Sequence, residues 1–551
     1  MGRAAFRQAL GPTLIAASLG IITALALSYI TALPMPAELF ADQATTRIPL
    51  PVFEALLTTF GPSAKHLYLI GALIVEALLT SAAGLAYVPL RRIVATRISG
   101  DDNSATLSWL DAPVIVMALW ILSAGLLAPI IGGGFFGTGL PGGASGAFLS
   151  LLAPNCVFAI ALIWELRPRA QLIREQAQEA ENISASKPLT RRALVLQGAV
   201  AMGMLVAGIG AWEALTSGLG ALFGAGPTQS PQPSLSLSSV PEQIIPPPTP
   251  VYGAWTPVVG QAAELTPAAD FYYVSKNLAG DPSLSANTWT LSVSGLVDKP
   301  YQLSYDQLRA LPRTRQYHTL ECISNEVGGP LISNGLFTGV RLADVLNAAG
   351  IQPGASQMTF MASDGYSDSL HLAQALDERS LIAYLLDGAP LPQAHGFPAR
   401  LLIPGLYGMK NGKWLTQLSL GAGAYTGYWE QRGWTPEAVV KLMSRIDTPQ
   451  DGDLLLARLT SIAGIAYGGA QGISRVDVSV DGGRSWNIAN LRRPLGALSW
   501  TLWEYSWRPV SERYVIAVRA IDLAGNVQTP RSEPPLPNGS SGYHAITVTV
   551  R

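Results

Sequence analysis

Five apolar stretches, each long enough at about 20 residues to cross a hydrocarbon core, run through the first part of the chain near 11–33, 66–90, 113–132, 145–166 and 193–215. They predict an all-α membrane bundle over 1–215. Arg3, Arg7, Arg91, Arg92, Arg97, Arg167, Arg169, Arg174, Lys187, Arg191 and Arg192 flank one side of these spans, and only Arg47 and Lys65 flank the other. Positive flanks stay in the cytoplasm, so an odd number of spans delivers everything after 215 to the outer face. Residues 216–252 then turn to Gly, Ser and Pro, ending in Pro246-Pro247-Pro248-Thr249-Pro250. That composition predicts a tether, extended where the prolines cluster.

Beyond the tether the pattern shortens. Thr288–Val297, Tyr317–Cys322, Gln357–Ala362, Leu381–Leu386, Arg400–Ile403 and Trp414–Leu420 read as strands, and Tyr305–Leu311 and Arg341–Ala349 as helices. Mixed order of this kind predicts an α+β core over 253–438. After about 440 only alternating patterns remain: Val476, Val478 and Val480 before Asp481-Gly482-Gly483, Tyr514, Ile516 and Val518 before Asp522 to Asn526, and Ala545–Val550 at the end. They predict an immunoglobulin-like β-sandwich over 439–551. It carries no catalytic signature, so packing or dimerisation is its expected task.

Composition narrows the chemistry. Of 551 residues 49% are hydrophobic and only 13% charged, and 36 basic against 37 acidic side chains leave a net charge of -1. No global field gathers nucleic acid, so none is expected as a partner. The only cysteines are Cys156, in an apolar run, and Cys322, in a polar region. A disulfide framework, a cysteine-rich zinc site and an iron–sulfur cluster are therefore excluded. Only His66 of five histidines lies near a span and no Cys-x-x-Cys-His occurs, so haem is not expected either. Glu76, near the middle of the second span, reads either as a proton or quinone site or as a protonated carboxyl bonded to another helix. Pro154, Asn155 and Cys156 read as a packed kink. Thr190-Arg191-Arg192 before the fifth span resembles a twin-arginine export signal, with a stop-transfer boundary as the other reading.

Cys322 lies in His318-Thr319-Leu320-Glu321-Cys322-Ile323-Ser324-Asn325, and three uses of its sulfur compete: buried packing, nucleophile and metal ligand. A nucleophile needs a base, and His318, four residues away along a strand, sits about 13 Å off. His371 or His395 could replace it. A metal site draws support from His395, Arg400, Lys410 and Lys413, which gather around Gly405-Leu406-Tyr407-Gly408. Backbone amides of such a turn with lysine and arginine form a phosphate site, the alternative being a solvated basic loop.

Taken in order, Phe271-Tyr272-Tyr273-Val274-Ser275-Lys276-Asn277, Leu320 to Asn325, Asp364-Gly365-Tyr366, and His395-Gly396-Phe397-Pro398-Ala399-Arg400 through Lys413-Trp414-Leu415 resemble the molybdopterin-binding domain of the sulfite oxidase family. The resemblance covers roughly 255–430, and the segment after 440 is similar to the family's accessory, often dimerising, domain. Five membrane spans are outside the usual family pattern. The resemblance implies molybdenum held by the dithiolene of one molybdopterin, with the Cys322 thiolate as protein ligand and Asn325 and Tyr366 as catalytic neighbours. It implies that Tyr273, Lys276, Asn277, Ser324, His395, Arg400, Gly408, Lys410 and Lys413 hold the cofactor, although Lys276-Asn277 stands where many relatives have Arg-Asn-His. The expected function is a membrane-anchored, outward-facing oxidoreductase that transfers an oxygen atom to or from a small oxide or sulfite-like substrate. A separate electron donor or acceptor and a homodimer through the C-terminal domain complete the expectation. Glu321 and Glu326 flank Cys322, which turns the reading toward reduction of neutral oxides such as sulfoxides. A sulfite-oxidase-type dehydrogenase and a non-catalytic tethered binding protein are the alternatives.

Overall fold

The computed structural model describes residues 3–31, 35, 37–38, 63–99, 109–127, 148, 150–166, 252–253, 255–277 and 281–551. The expected fifth span, the twin-arginine segment and nearly all of the tether lie outside the described residues. The chain divides into two units, one of residues 1–222 with 277–283 and one of residues 223–276 with 284–551.

The first unit is helical: α1 (Arg3–Thr31), α2 (Ser63–Ser99), α3 (Asp111–Trp120), which continues as a π-helical turn over Ile121–Leu127, and α4 (Ser150–Leu166). Windows Ala9–Ser28 and Leu69–Tyr87 are long and apolar enough to cross a membrane, while Asp111–Gly125 and Ser150–Leu166 are shorter apolar helices. Small residues let the helices approach closely. A Cβ on Gly84 would sit 2.9 Å from Thr13 Cγ2, and one on Gly20 would sit 3.2 Å from the Pro154 carbonyl. Ala16, Ala17, Phe158, Leu162 and Ile163 form one core. Outward faces carry Leu78, Leu79, Val114, Ile160 and Trp164, all exposed, a surface that water disfavours and hydrocarbon does not.

The second unit begins with two sheets. One has the order β2 (Tyr301–Ser304), β1 (Thr290–Gly295), β10 (Leu415–Gly421), β5 (Gln357–Ala362), β6 (Ser367–His371). The other has β3 (Arg313–Glu321), β4 (Ile332–Arg341), β7 (Leu381–Leu386), β8 (Ala389–Pro390), with β9 (Arg400–Leu402) also on β7. Leu291, Val293, Val345, Leu346, Phe360, Leu415 and Leu418 share the core between sheet and helices. Helix α5 (Tyr305–Ala310) starts at a capping box, Ser304 accepting from the Gln307 N–H and Gln307 from the Ser304 N–H, and it stops where Leu311 precedes Pro312.

Two strands escape a reading by alternation. β4 is buried on both faces along nearly its whole length, which erases the period of two. It also carries Gly339, where a Cβ would lie 2.4 Å from the Ile382 carbonyl. β6 is polar in composition, yet Asp368 in it is fully buried because Lys410 pairs with it.

The last part of the second unit is a two-sheet sandwich. β11 (Met443–Thr448), β13 (Thr460–Tyr467), β17 (Thr501–Trp507) and β16 (Asn490–Leu491) face β12 (Leu454–Leu455), β19 (His544–Val550), β18 (Arg513–Asp522), β14 (Ile473–Ser479) and β15 (Asn487–Ile488). Ile446, Ile462, Val476, Trp503, Ile516 and Val548 fill the space between them. Among the described residues this part contains no helix after Arg432.

The sandwich is bonded to the α+β part along the chain around Cys322. Tyr467 donates its hydroxyl proton to the Thr319 carbonyl at 3.0 Å, the Trp500 N–H donates to Thr319 Oγ1 at 2.8 Å, and Arg445 Nη1 donates to the Gly329 carbonyl at 2.9 Å. His544 ends this seam. Its Nδ1 accepts the Ile446 N–H at 2.9 Å, and Gly328, at φ +78°, lies so close that a Cβ there would meet the ring at 2.3 Å.

An accepting Nδ1 in a dry setting keeps this imidazole neutral: burial first, then Arg445, lowers its pKa from 6.5 to about 4. The unfolded chain takes up the proton near 6.5 and the folded one resists until about 4. The contribution to stability is therefore full above that upper value and lost as pH falls to the lower one, reaching roughly 3 kcal/mol. Denaturation midpoints across this window are expected to fall with pH, and the slope is expected to shrink in His544→Gln.

Candidate active site

β3 pairs with β4 in unbroken antiparallel register from Arg313↔Val340 to Glu321↔Ile332, and the connection between them starts at Cys322. That connection is closed on itself. The Cys322 N–H donates to the Leu331 carbonyl at 2.9 Å, the Asn325 N–H to the Cys322 carbonyl at 3.0 Å, and the Leu331 N–H to Asn325 Oδ1 at 2.9 Å. From the other side, Asn325 Nδ2 donates to Glu321 Oε1 at 3.0 Å and Ser540 Oγ of the sandwich to the Asn325 carbonyl at 2.7 Å. Burial alternates along it, with Glu321, Ile323 and Asn325 buried and Cys322 and Ser324 half-buried. Cys322 and Ser324 thus stay part-exposed while their neighbours are locked in.

Burial pushes the Cys322 thiol up from its ordinary value, and the bonds with Ser324 and the charge of Lys413 pull it back. Glu321 points into the protein. Burial raises its carboxyl to about 7, against the Asn325 bond and Arg445, so desolvation drives it toward its neutral form. Glu326 is exposed.

Across from this loop, residues 393–414 make the second wall. Arg400, in β9, is 5% exposed and donates from Nη1 to the His395 carbonyl and from Nη2 to the Asn411 carbonyl, each at 3.1 Å. Its Nε has no partner and no carboxylate pairs with it among the described residues. Burial lowers its pKa to about 10. Gly408 opens the short 3₁₀ turn Gly408–Lys410, and a Cβ on it would lie 2.6 Å from the Tyr272 hydroxyl and 3.9 Å from Cys322 Cα. Only glycine leaves that space open. Lys413 Nζ donates to the carbonyls of Ala394 at 2.8 Å and Val274 at 3.2 Å, and sits 4.8 Å from the Tyr273 ring and 4.2 Å from the Trp414 ring. His395 is buried with its ring 5.4 Å from Phe271.

Four expected site residues are engaged elsewhere. Lys410 is turned onto the protein's own carboxyl groups: Nζ donates to Asp368 Oδ1 and Glu430 Oε1, both at 2.6 Å, and to the Ser369 carbonyl at 3.1 Å. Its three protons are used, so it pins the turn from behind. The Tyr366 hydroxyl belongs to the same network, bonding the Met409 carbonyl at 2.6 Å and Asp368 Oδ2 at 3.2 Å. Asn325 spends its amide on the loop, as above, and so shapes the site without reaching into it. Asn277, in the 277–283 stretch that clusters with the helical unit, donates to Asp281 at 3.2 Å. His318 is buried at 1% exposure with its pKa lowered to about 3 by burial, Arg400 and Arg379, which removes it as a base for Cys322.

Further residues emerge only in space. Tyr272 presents its hydroxyl to the opening left by Gly408. Lys276 Nζ lies 5.2 Å from the Tyr428 ring and 3.9 Å from Asp364, and the Arg432 guanidinium lies 3.5 Å from the same ring. Tyr272 was within reach of the sequence, inside Phe271-Tyr272-Tyr273. The Tyr428–Arg432 stack had no signal beyond a cluster of aromatics.

Residues 279–429 match the oxidoreductase molybdopterin binding domain, and residues 437–535 match the Mo-co oxidoreductase dimerisation domain. Mitochondrial sulfite oxidase of Homo sapiens is 32% identical over 339 residues, covering 52% of this chain and 62% of that protein. The uncharacterised oxidoreductase YuiH of Bacillus subtilis (strain 168) is 36% identical over 146 residues, covering 26% of this chain and 72% of that protein. Sulfane dehydrogenase SoxCD from Paracoccus pantotrophus aligns over 55% of this chain and 90% of that chain at 23% identity, with a TM-score of 0.47. The chain thus spans about three fifths of the sulfite oxidase it matches. With both domains matched in order and the half-open cysteine facing a glycine-lined, cationic wall, the chain belongs to the sulfite oxidase family of molybdopterin-dependent oxidoreductases.

Proposed function

We propose that this protein is a membrane-anchored molybdenum enzyme that adds an oxygen atom from water to a small sulfite-like anion and passes the two electrons and two protons released to a separate acceptor and to solvent. The residues present fit the cofactor. A pterin phosphate is an anion, and Arg400 is a buried guanidinium with an orphaned Nε and no carboxylate, a state that anionic company relieves. The space that a Cβ on Gly408 would fill lets a flat group approach the backbone. Arg400, Lys413, Tyr273, His395 and the backbone of the Gly408 turn would hold it, and Cys322 would supply the one protein sulfur. When bound, the group supplies a metal that cycles by two electrons during oxygen exchange. The chain's own work is to fix the sulfur through the 322–331 bonds, to hold Lys276 and Arg432 against Tyr428, and to set the cations Arg400 and Lys413 in the second wall.

That last point carries the choice of substrate. The case for neutral oxides rested on Glu321 and Glu326 beside Cys322, but Glu321 turns inward onto Asn325 and Glu326 is exposed. Glu321 and Lys413 both act on the sulfur electrostatically, with opposite sign. Arg313 and Arg315, exposed at the far end of β3, lie some 20 Å or more from Cys322 along an extended strand and play no part. What favours an anion over a sulfoxide is the buried Arg400 guanidinium with its orphaned Nε, together with the Lys413 ammonium in the same wall.

The apolar outer faces of α1 to α4 support the anchoring, and the charge bias of their flanks supports an outward-facing catalytic part. Electrons pass to a separate acceptor, and residues 439–551 pair two copies.

Protein matured in a cofactor-competent host is expected to carry one molybdenum per chain and to reduce an artificial acceptor with sulfite. Cys322→Ala is expected to abolish both. Stoichiometric metal with turnover of sulfoxides but not sulfite would reverse the substrate, and no metal would end the proposal. Gly408→Ala is expected to cut metal content several-fold, with partial recovery in Gly408→Ala/Tyr272→Phe, which removes the obstructing hydroxyl. A topology reporter inserted at 230 is expected to read outside; a cytoplasmic signal would remove the outward assignment.

A further inference from the structure

Ser324 Oγ lies 3.0 Å from Cys322 Sγ. In a free thiol either atom can donate, but a metal-bound thiolate has no proton, so the hydroxyl must give its own and the bond acquires one direction. Both residues are half-buried and lie on the open side of the loop, whereas Ile323 and Asn325 face inward. The loop's shape does not depend on the Ser324 side chain, because the bonds Cys322–Leu331, Asn325–Cys322, Asn325–Leu331, Asn325–Glu321 and Ser540–Asn325 already close it. The hydroxyl is therefore free of structural duty and aimed at the ligand sulfur.

We propose that Ser324 is a tuning residue, whose hydroxyl donates to the metal-bound Cys322 sulfur and raises the reduction potential of the centre. This rests on the molybdenum reading above but goes beyond it, since that reading gives Ser324 no role and the family resemblance counts it only among the residues that hold the cofactor. The physical ground is general. A hydrogen bond to a coordinating sulfur withdraws electron density from the metal–sulfur bond and favours the reduced, more electron-rich state. Lys413 acts on the sulfur in the same direction, but its ammonium is also tied to two carbonyls and two rings, so removing it would disturb the wall. Removing the Ser324 hydroxyl leaves no buried partner unpaired once the sulfur is coordinated.

The test uses the full-length, metal-loaded protein in detergent and reads metal content together with a redox titration of the Mo(V) resonance. Ser324→Ala is expected to retain stoichiometric molybdenum and wild-type thermal stability, while the ratio of oxidised to one-electron-reduced metal at fixed ambient potential rises several-fold; tenfold would equal 59 mV. Ser324→Thr, which keeps the hydroxyl, is expected to return the ratio to that of the wild type. Full metal content with an unchanged ratio in Ser324→Ala overturns the proposal and spares the molybdenum reading. Loss of metal in Ser324→Ala overturns it too, by making the residue a holder of the cofactor. Absence of metal from the wild type overturns both.

Discussion

A buried guanidinium without a carboxylate is the constraint on which the site depends. Taking such a charge out of water costs several kcal/mol even after relaxation. The two carbonyls that accept from Arg400 repay part of that, since hydrogen bonds to charged groups contribute about 1.5–3 kcal/mol each. They leave the charge itself uncompensated. Burial depresses the pKa of the group only to about 10, so it keeps its proton at neutral pH and its field persists. An anionic ligand would complete the balance, and the same wall carries glycine at 408 and an ammonium at 413. The same field lowers the pKa of His318, which stays neutral in the strand that leads to the sulfur.

Much of this was legible from residue types in order. The strands that supply β5 and β7 announce themselves through apolar residues, and the motifs around Cys322 and from His395 to Lys413 mark the two walls. What the sequence could not separate was which cation in the second wall is spent internally. Arg400 and Lys410 look equivalent in a basic, glycine-rich cluster. The difference lies in β6, whose Asp368 is fully buried beside Lys410, and in Glu430, twenty residues downstream. A polar strand with no alternation gives no hint that its carboxylate is spoken for. The same limit hid the role of Asn325: its amide looks chemical in sequence, but both ends of it close the 322–331 turn, whose partner strand β4 is buried on both faces and so has no period to read. The fifth expected span and the twin-arginine segment fall outside the described residues.

Bonds across the seam make the C-terminal sandwich part of the site. The family name of this domain speaks of dimerisation, and the sequence suggested packing or dimerisation. Yet Ser540 holds the Asn325 carbonyl, Arg445 the Gly329 carbonyl and Tyr467 the Thr319 carbonyl, so both arms of the loop that presents Cys322 lean on it. Each such bond contributes about 1 kcal/mol net, but leaving a buried acceptor unpaired costs about 1–3 kcal/mol. Loosening the sandwich therefore exposes several loop carbonyls at once. A coordinating sulfur tolerates little displacement, because metal–ligand geometry is set by the surrounding bonds as much as by the ligand. The stability of residues 443–550 and the position of the sulfur are thus one property, and a lesion in the sandwich, at Trp503 in its core or at His544 against Gly328, reaches the sulfur by moving the loop.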